Sequence, residues 1–327
     1  MTGISTSADN RESFDELIAP YRSELHAHCY RMLGSTHDAD DALQDALLRA
    51  WRGLPKFEGR SSLRSWLYRI ATNSSLRLIE RRPRRVLPID YGPAADAHDE
   101  PAAPLVESVW LEPYPDGAVA EGYASPEARY EQRESVELAF VAALQHLPAR
   151  QRAVLILRDV LGFSGAEVAA QLDTSPEAVY SSLQRAHKTV DQRLPEHSQQ
   201  ATLRSLGDAR LNELVSRYVD AWERSDLDAI VAMLTDDATI AMPPRPSWYA
   251  GIAQARAFLA SVPFAPGSER TVHRAHANGQ LAVASHHTRA VGETHRSLDL
   301  LTLSRDGRIA AITAFVGAEL RPFADPA

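Results

Sequence analysis

From Phe14 to about Arg82 apolar residues return at helical spacing, with Phe14, Leu17, Ile18, Tyr21 and Leu25 as a first stripe, which predicts an all-helical unit. A second helix is announced by Ser35 or Thr36 ahead of Asp38, Asp40 and Asp41, an acidic first turn that suits the positive end of the helix dipole. It runs to about Trp51, where Gly53 and Pro55 stop it. A third starts after Gly59 and Ser61, carries Leu63, Trp66, Leu67, Ile70 and Ala71 toward Leu78, and ends before Pro83. Between Pro83 and Pro126 eight prolines, scattered glycines and few periodic apolar positions predict a linker. Ser125-Pro126-Glu127 restarts helix; Val136, Phe140, Leu144 and Leu147 form a stripe ended by Pro148, and helices continue to about Leu194.

Two short amphipathic helices within that stretch stand close together. Val168, Ala169 and Leu172 give one its apolar face, and Val179, Leu183, Ala186 and Val190 give the other. The second start is marked by Thr174 or Ser175 as a cap, Pro176 in the first turn, and Glu177 three residues after Thr174 as in a capping box. With the apolar face buried, Ser175, Tyr180, Ser181, Ser182, Gln184, Arg185 and Lys188 are left for solvent. Such a helix fits the major groove of DNA, where Ser, Gln and Arg reach base edges and Arg and Lys neutralise phosphates. An ordinary helical hairpin with a solvated face has the same pattern.

After a break at Pro195 to Gln200 the character changes. From about Leu203 one amphipathic helix (Leu211, Leu214, Val215, Tyr218, Trp222) and a shorter one (Leu227, Ile230, Val231, Leu234) precede β-like runs at 271–277, 281–290, 297–303 and 309–315. Asn278-Gly279 and Asp306-Gly307 sit between such runs as hairpin signals. The predicted fold is therefore multi-domain, with two all-α helical domains followed by an α+β domain with a curved antiparallel sheet.

Charge changes this picture. The net charge of −8 argues against a nucleic-acid partner. Yet Arg60, Arg64, Arg69, Arg77, Arg81, Arg82, Arg84 and Arg85 face only Glu80 between positions 60 and 85, while Asp90, Asp96, Asp99, Glu100, Glu107, Glu112, Asp116, Glu121 and Glu127 fill a stretch with no Lys or Arg. The chain segregates its charge. Cys29, the single cysteine, sits in an apolar helical pattern and excludes an internal disulfide. With no apolar run near eighteen residues and no basic start followed by one, the expected location is the cytoplasm, with no membrane partner.

The arginines interleave with Trp66 and Tyr68, rings that can stack on unpaired bases. DADDALQDALLRAW, FEGRSSLRSWLYRIATN and LPARQRAVLILRDVLGFSGAEVAAQLDTSPEAVYSSLQRA together resemble, in order, the extracytoplasmic-function group of bacterial sigma-70 factors over roughly Phe14 to Leu194. The resemblance implies a promoter-recognition subunit with no chemistry of its own and no cofactor or metal, whose partners are promoter DNA and core RNA polymerase through its β′ clamp helices and β flap. It implies region 2 over 10–85, a linker over 86–128, and region 4 over 129–195. Core-polymerase contacts would come from Asp38, Asp41, Gln44, Asp45, Arg49 and Trp51. Minus-ten reading would come from Arg60, Ser61, Ser62, Arg64, Trp66, Tyr68, Arg69, Asn73 and Arg77, with one aromatic serving the core instead. Minus-thirty-five reading would fall to the polar face from Ser175 to Lys188. The acidic linker would take the place of a segment that threads the polymerase's RNA channel.

Residues 203–327 are similar to the SnoaL-like polyketide-cyclase superfamily, a cone-shaped α+β fold with one pocket, carried by YVDAWERSDLDAIVAMLTDDATIAMPP and PSWYAG. Met242, Trp248, Tyr249 and Phe315 are candidate pocket residues, though large apolar side chains in a small sheet domain also make plain core. His273, His276, His286, His287, His295, Asp236 and Asp299 could supply an acid or base, but His286 and His287 are adjacent in a strand and face opposite ways. The expected role is regulatory, through intramolecular contact with region 2 or the linker. Two other classes compete: a cyclase or isomerase with a DNA-tethered controller, and a stand-alone DNA-binding regulator, against which the clamp-like Asp41 to Trp51 pattern argues.

Overall fold

In the computed structural model the description covers residues 13–106, 109–118, 134–264, 269–288, 294–320 and 323. The chain divides into two units, one formed by 1–84 with 118–194, the other by 85–117 with 195–327. The helix start expected at Ser125-Pro126-Glu127 lies outside the described residues.

The first unit is helical. α1 (Arg22–Leu33), α2 (Thr36–Gly53) and α3 (Leu63–Ile79) pack around Leu25, Cys29, Ala42, Ala46, Leu67 and Ala71, all buried. Gly34, in the left-handed conformation with φ 71°, ends α1, and Ser35 accepts the Asp38 amide at 3.0 Å to start α2. Ser62 caps α3 in the same way through Ser65, at 3.1 Å. α4 (Leu138–Gln145) and α5 (Ala149–Leu155), the latter continued by a π-helical turn Ile156–Val160, lead to α6 (Gly165–Gln171) and α7 (Pro176–Asp191). The capping box falls on α6, where Ser164 and Glu167 bond reciprocally, while α7 is capped by Ser175 alone. Thr174 and Glu177 have the right spacing, but Asp173, in the left-handed region at φ 49°, sets the turn so that Ser175 becomes the cap.

Arg152 of α5 is buried and engaged through both terminal nitrogens. It donates to the Met32 carbonyl at the end of α1, to Gln145 Oε1 at 2.5 Å, and to the Gln145 and Leu147 carbonyls. Arg31 of α1 reaches Ser135 Oγ at 2.7 Å. These buried polar bonds join the first three helices to the last four.

In the second unit, α8 (Gln199–Leu206), α9 (Asp208–Glu223), α10 (Leu227–Ala232) and α11 (Ile252–Ser261) accompany a sheet of six strands: β1 (Leu234–Ala241), β2 (Trp248–Ala250), β3 (Glu269–Ala277), β4 (Gln280–Thr288), β5 (Thr294–Leu303) and β6 (Ile309–Val316). Their order is β2-β1-β6-β5-β4-β3, antiparallel except for β1 beside β6. Asn278 and Gly279 both take positive φ, at 54° and 64°, as the tight β3–β4 hairpin demands. The core lies between the helices and one sheet face, with Tyr218, Trp222, Phe258, Val272, Val283 and Ile312 among its members. α8 starts at Gln199, earlier than the pattern suggested, because Ser198 caps it and Gln199 trades two hydrogen bonds with Leu303 at the end of β5.

Residues 85–117 do not behave as the expected linker. Ala95 N–H donates to the Trp248 carbonyl of β2, Trp248 Nε1 to the Gly92 carbonyl, Ala102 N–H to Ser247 Oγ, and Leu105 N–H to the Pro244 carbonyl, all within 2.8–3.0 Å. The segment thus straps the open edge of the sheet, which would otherwise present unpaired backbone groups. Its far end is pinned by Trp110, Leu111 and Tyr114, each buried, and by a reciprocal pair at 2.8 Å between Tyr114 and Asn278. Arg85 closes the strap on itself, bonding the Trp110 carbonyl at 2.7 Å and Glu112 at 3.1 Å. Isolated anchors and backbone pairing hold it, neither of which leaves a periodic apolar signal.

Candidate nucleic-acid interface

On α7, Val179, Ala186 and Val190 are buried against the unit while Tyr180, Ser181, Gln184, Arg185 and Lys188 are exposed and Ser182 is half-buried. Arg185 lies along the helix, donating to Ser181 Oγ at 2.6 Å and Ser182 Oγ at 3.3 Å. Tyr180 leans on α6: a Cβ added at Gly165 would sit 3.1 Å from its hydroxyl. His187, not singled out in the sequence, bonds Asp159 at 2.5 Å on the same exposed surface.

The arginine-rich helix α3 is in a different condition. Arg60 and Ser61 are exposed ahead of it, and Ser62 spends its hydroxyl on the cap. Trp66 is half-buried against Phe57, ring centroids 5.0 Å apart. Of the two aromatics it is Tyr68 that enters the core; its hydroxyl donates to Glu24 at 3.1 Å, and burial pushes its pKa up. Beneath it His28, bonded to Thr72 at 2.9 Å, is held neutral by burial and by Arg31 and Arg64, with its pKa lowered to about 3.

Several α3 groups are occupied by region 4 residues. The Arg64 guanidinium lies 4.9 Å from the Tyr68 ring centre and 4.8 Å from that of Phe163, and bonds the Leu161 carbonyl. Arg69 pairs with Asp173 at 2.9 Å, in the turn between α6 and α7. Ser65 accepts from Gln171 at 3.0 Å. Asn73 is half-buried, and Arg77 turns to Asp45 and Ser74 at 2.9 and 2.8 Å.

On α2, Asp38 is buried and paired with Arg82, which also holds Asp41 at 3.2 Å. Burial opposes ionisation of Asp45, but hydrogen bonds from Arg49, Ser74 and Arg77 outweigh it and hold the carboxyl below its ordinary range. Asp41, Gln44, Leu48 and Trp51 are exposed along one side of the helix. Leu48, 57% exposed, is a large apolar residue on that face that pattern reading had not selected; its solvent exposure is visible only in three dimensions.

In the C-terminal unit Met242 lines a cavity in the core. Tyr249 is buried and stacked on Phe258, centroids 4.4 Å apart, Trp248 is spent on the strap, and Phe315 is paired with Leu298 on the sheet face opposite Ala314 and Val316. His287 and His295 face each other across β4 and β5, His286 points the other way, His273 and Asp236 are exposed and His276 is half-buried. Among the described residues no three His, Cys, Asp or Glu side chains are grouped to hold a metal, and no helix is long and apolar enough to cross a membrane.

A capped helix-turn-helix, a basic helix with a half-buried tryptophan and a third helix with an acidic-apolar outer face, all in one helical unit, define a sigma-70-type promoter-recognition subunit. Family models agree: Sigma-70 region 2 matches residues 17–85, Sigma-70, region 4 matches 137–190, and a SnoaL-like domain matches 215–312. The ECF RNA polymerase sigma factor SigG of Mycobacterium tuberculosis is 43% identical over 98% of this chain and 86% of its own length, so the chain belongs to the extracytoplasmic-function sigma factors. The sigma-E factor of Escherichia coli is 26% identical over 57% of the chain and 88% of its own. The crystal structure of the M. tuberculosis sigma factor SigJ shares the fold, with a TM-score of 0.56 at 22% identity, over 92% of this chain and 95% of that one. As a member of the family the chain is a polymerase subunit and not an enzyme; it binds core RNA polymerase and promoter DNA and directs promoter-specific initiation.

Proposed function

We propose that α7 reads the minus-thirty-five element with Tyr180, Ser181, Ser182, Gln184, Arg185 and Lys188, that the segment from Arg60 to Arg77 opens and reads the minus-ten element, and that Asp41, Gln44, Leu48 and Trp51 form the clamp-facing side of α2. Asp38 and Asp45 then act by fixing that helix against Arg82 and Arg77, with Arg49 holding the Asp45 carboxylate. The work is done in the cytoplasm, where core polymerase and promoter meet.

The observation that carries the reading furthest is the engagement of α3 by region 4. The two promoter elements lie roughly 25 base pairs apart, about 85 Å at 3.4 Å per pair, whereas Arg69 and Asp173 touch at 2.9 Å. Both elements cannot be read in this arrangement. Initiation therefore requires regions 2 and 4 to part, which frees Arg64 and Arg69 for DNA. The C-terminal unit modulates that step: the strap that connects the two regions in sequence is hydrogen-bonded to β2 and the β3–β4 hairpin, and those bonds compete with its use inside polymerase.

The test is transcription in a purified system with core enzyme alone, with the full chain, and with a form ending at Leu194. Promoter-directed initiation with the full chain and a changed activity or core affinity for the shorter form are expected. No initiation with either form would remove the promoter assignments, and equal behaviour of both would remove the modulation.

A further inference from the structure

α5 does not end as a regular helix. Its last turn, Ile156–Val160, is π-helical, and the Leu161 amide donates to the Ile156 carbonyl at 3.0 Å. Turns of this kind are rare and are often found at functional sites. Here the wider turn delivers two charged side chains to α7. The Arg158 guanidinium lies 6.0 Å from the Tyr180 ring centre and donates to the Phe163 carbonyl at 2.5 Å. Asp159 reaches His187, about two turns beyond Tyr180 on the same side of α7. His187 stands about 60° round the helix from Gln184, on the flank of the exposed face. A helix laid in the major groove meets base edges with the middle of such a face and the phosphate walls with its flanks.

The bond to Asp159 decides what the other ring nitrogen can do. Nε2 of His187 meets Asp159 Oδ2 at 2.5 Å, and a carboxylate has only lone pairs to offer, so Nε2 carries the proton. In a neutral ring Nδ1 is then bare, and its lone pair is repelled by a phosphate oxygen. In a protonated ring Nδ1 donates and the ring is a cation, which suits a phosphate. His187 and Asp159 are 48% and 39% exposed, so DNA can reach the pair and its contribution to folding is small. The charged groups on the helices packed against α7 are Arg150, Arg152, Arg158 and Asp159 on α5 and its π-helical turn and Glu167 on α6; α4 has none. Arg150 is at the far end of α5, Arg152 is buried in the joint to α1, Arg158 is under Tyr180, and Glu167 is bonded to Ser164. His146, at the end of α4, meets Arg84, and Asp173, in the turn before α7, meets Arg69. On α7 itself Lys188 adjoins His187 and Asp191 follows by one turn. Of all these groups it is Asp159 that bonds the ring.

We propose that His187 is a proton-linked phosphate contact of region 4, with Asp159 as its positioning residue. Duplex binding takes up a proton at His187, and α7 holds DNA more tightly as the surroundings become more acidic. Asp159 sets this linkage, because by taking the Nε2 proton it leaves Nδ1 a donor only in the charged ring. The inference rests on the reading that α7 lies on duplex DNA, and adds to it a residue outside the contacts proposed above.

The experiment is fluorescence anisotropy of the full chain at low salt, from about pH 6 to about pH 8, with a rhodamine-labelled duplex of about 30 base pairs and mixed sequence; a phosphate contact needs no particular sequence. Across this range wild-type affinity should fall at least about threefold more than that of His187→Gln, whose side chain takes up no proton. His187→Arg, charged throughout, should fall no more than His187→Gln and bind at about pH 8 as tightly as the wild type does at about pH 6. Both replacements stand at an exposed position and should keep the circular dichroism spectrum and urea midpoint. Asp159→Asn can donate to Nε2 through its amide, which lets a neutral ring keep its proton on Nδ1, so the pH dependence should shrink. Arg185→Ala should weaken binding at every pH and leave the wild-type fall in place. A His187→Gln curve parallel to the wild type, or a His187→Arg curve that falls with it, would overturn the proton-linked contact. Full wild-type pH dependence in Asp159→Asn would overturn the part given to Asp159. If Arg185→Ala weakens binding while His187→Gln follows the wild type, this contact alone falls; an Arg185→Ala chain that binds like the wild type would remove α7 from the DNA and the contact with it.

Discussion

The two helices proposed to read DNA in this sigma factor stand in opposite conditions. α7 keeps its polar face in solvent, with Arg185 held only by neighbouring serines of its own helix. α3 has Arg64, Ser65 and Arg69 occupied by Leu161, Gln171 and Asp173. In the proposed reading α7 is thus open to DNA as it stands, while α3 is released only by separation of regions 2 and 4. Such an arrangement places the strand-opening step, which costs a few kcal/mol in unstacking, behind a prior conformational step.

The largest expected effect comes from the buried polar joint. Arg152→Met leaves the Met32, Gln145 and Leu147 acceptors without their donor, and at about 1–3 kcal/mol for each unpaired buried group urea unfolding should show a loss of about 3 kcal/mol or more. A smaller loss would mean that the bonds from Arg31, Arg64, Ser65 and Arg69 carry the joint between regions 2 and 4. Arg185→Ala should cost roughly 1–3 kcal/mol in discrimination of the minus-thirty-five sequence with urea stability unchanged, measured on promoter variants. Tyr68→Phe, in the core of the other reader, should do the reverse: about 1 kcal/mol of stability and no change in selectivity.

How far these assignments could be read from sequence differs between the two helices for a physical reason. On α7 a short helix with one buried stripe forces its other face outward, so the candidates are legible from spacing. On α3 both faces meet protein, and spacing alone left Trp66 and Tyr68 undistinguished; the bonds to Glu24 and His28 come from a different helix. The strap was the least legible segment. Its anchors Trp110, Leu111 and Tyr114 are isolated in a proline-rich run, and its backbone bonds to β2 depend on an edge that forms only in the folded sheet. In the last domain the paired turn residues marked two hairpins, but which apolar residues face the cavity was set by register, which separates Phe315 from Ala314.

A graded effect, modest near neutral pH, follows from His28. His28 titrates near 6.5 when unfolded and at about 3 in the fold, so below the unfolded value the unfolded chain binds a proton that the native chain does not. Stability should be full above about pH 6.5 and fall with pH toward about 3, with a slope approaching about 1.4 kcal/mol per unit. His28→Gln should flatten that slope in urea titrations across this window; an unchanged slope would assign it to other groups. The smallest effect is at the latch: Arg69 and Asp173 are both exposed, at 46% and 75%, and such pairs contribute about 1 kcal/mol at most. Asp173→Asn should raise minus-ten opening by no more than about fivefold in a permanganate footprinting assay, and a fall would mean that the pair assists reading instead of masking it.

The division of the chain also has a consequence in time. Residues 85–117 belong to the same folded unit as 195–327, with region 4 inserted between them, and Tyr114 meets its partner Asn278 across 164 positions of sequence. At about 5–20 residues per second of synthesis, the strap leaves the ribosome about 10–30 s before the hairpin that pins it. Both helices proposed to read the promoter have been synthesised by then. A newly made chain therefore passes through an interval in which its sigma portion exists without the attachment of the strap, and the age of a molecule becomes one of the variables that set its state.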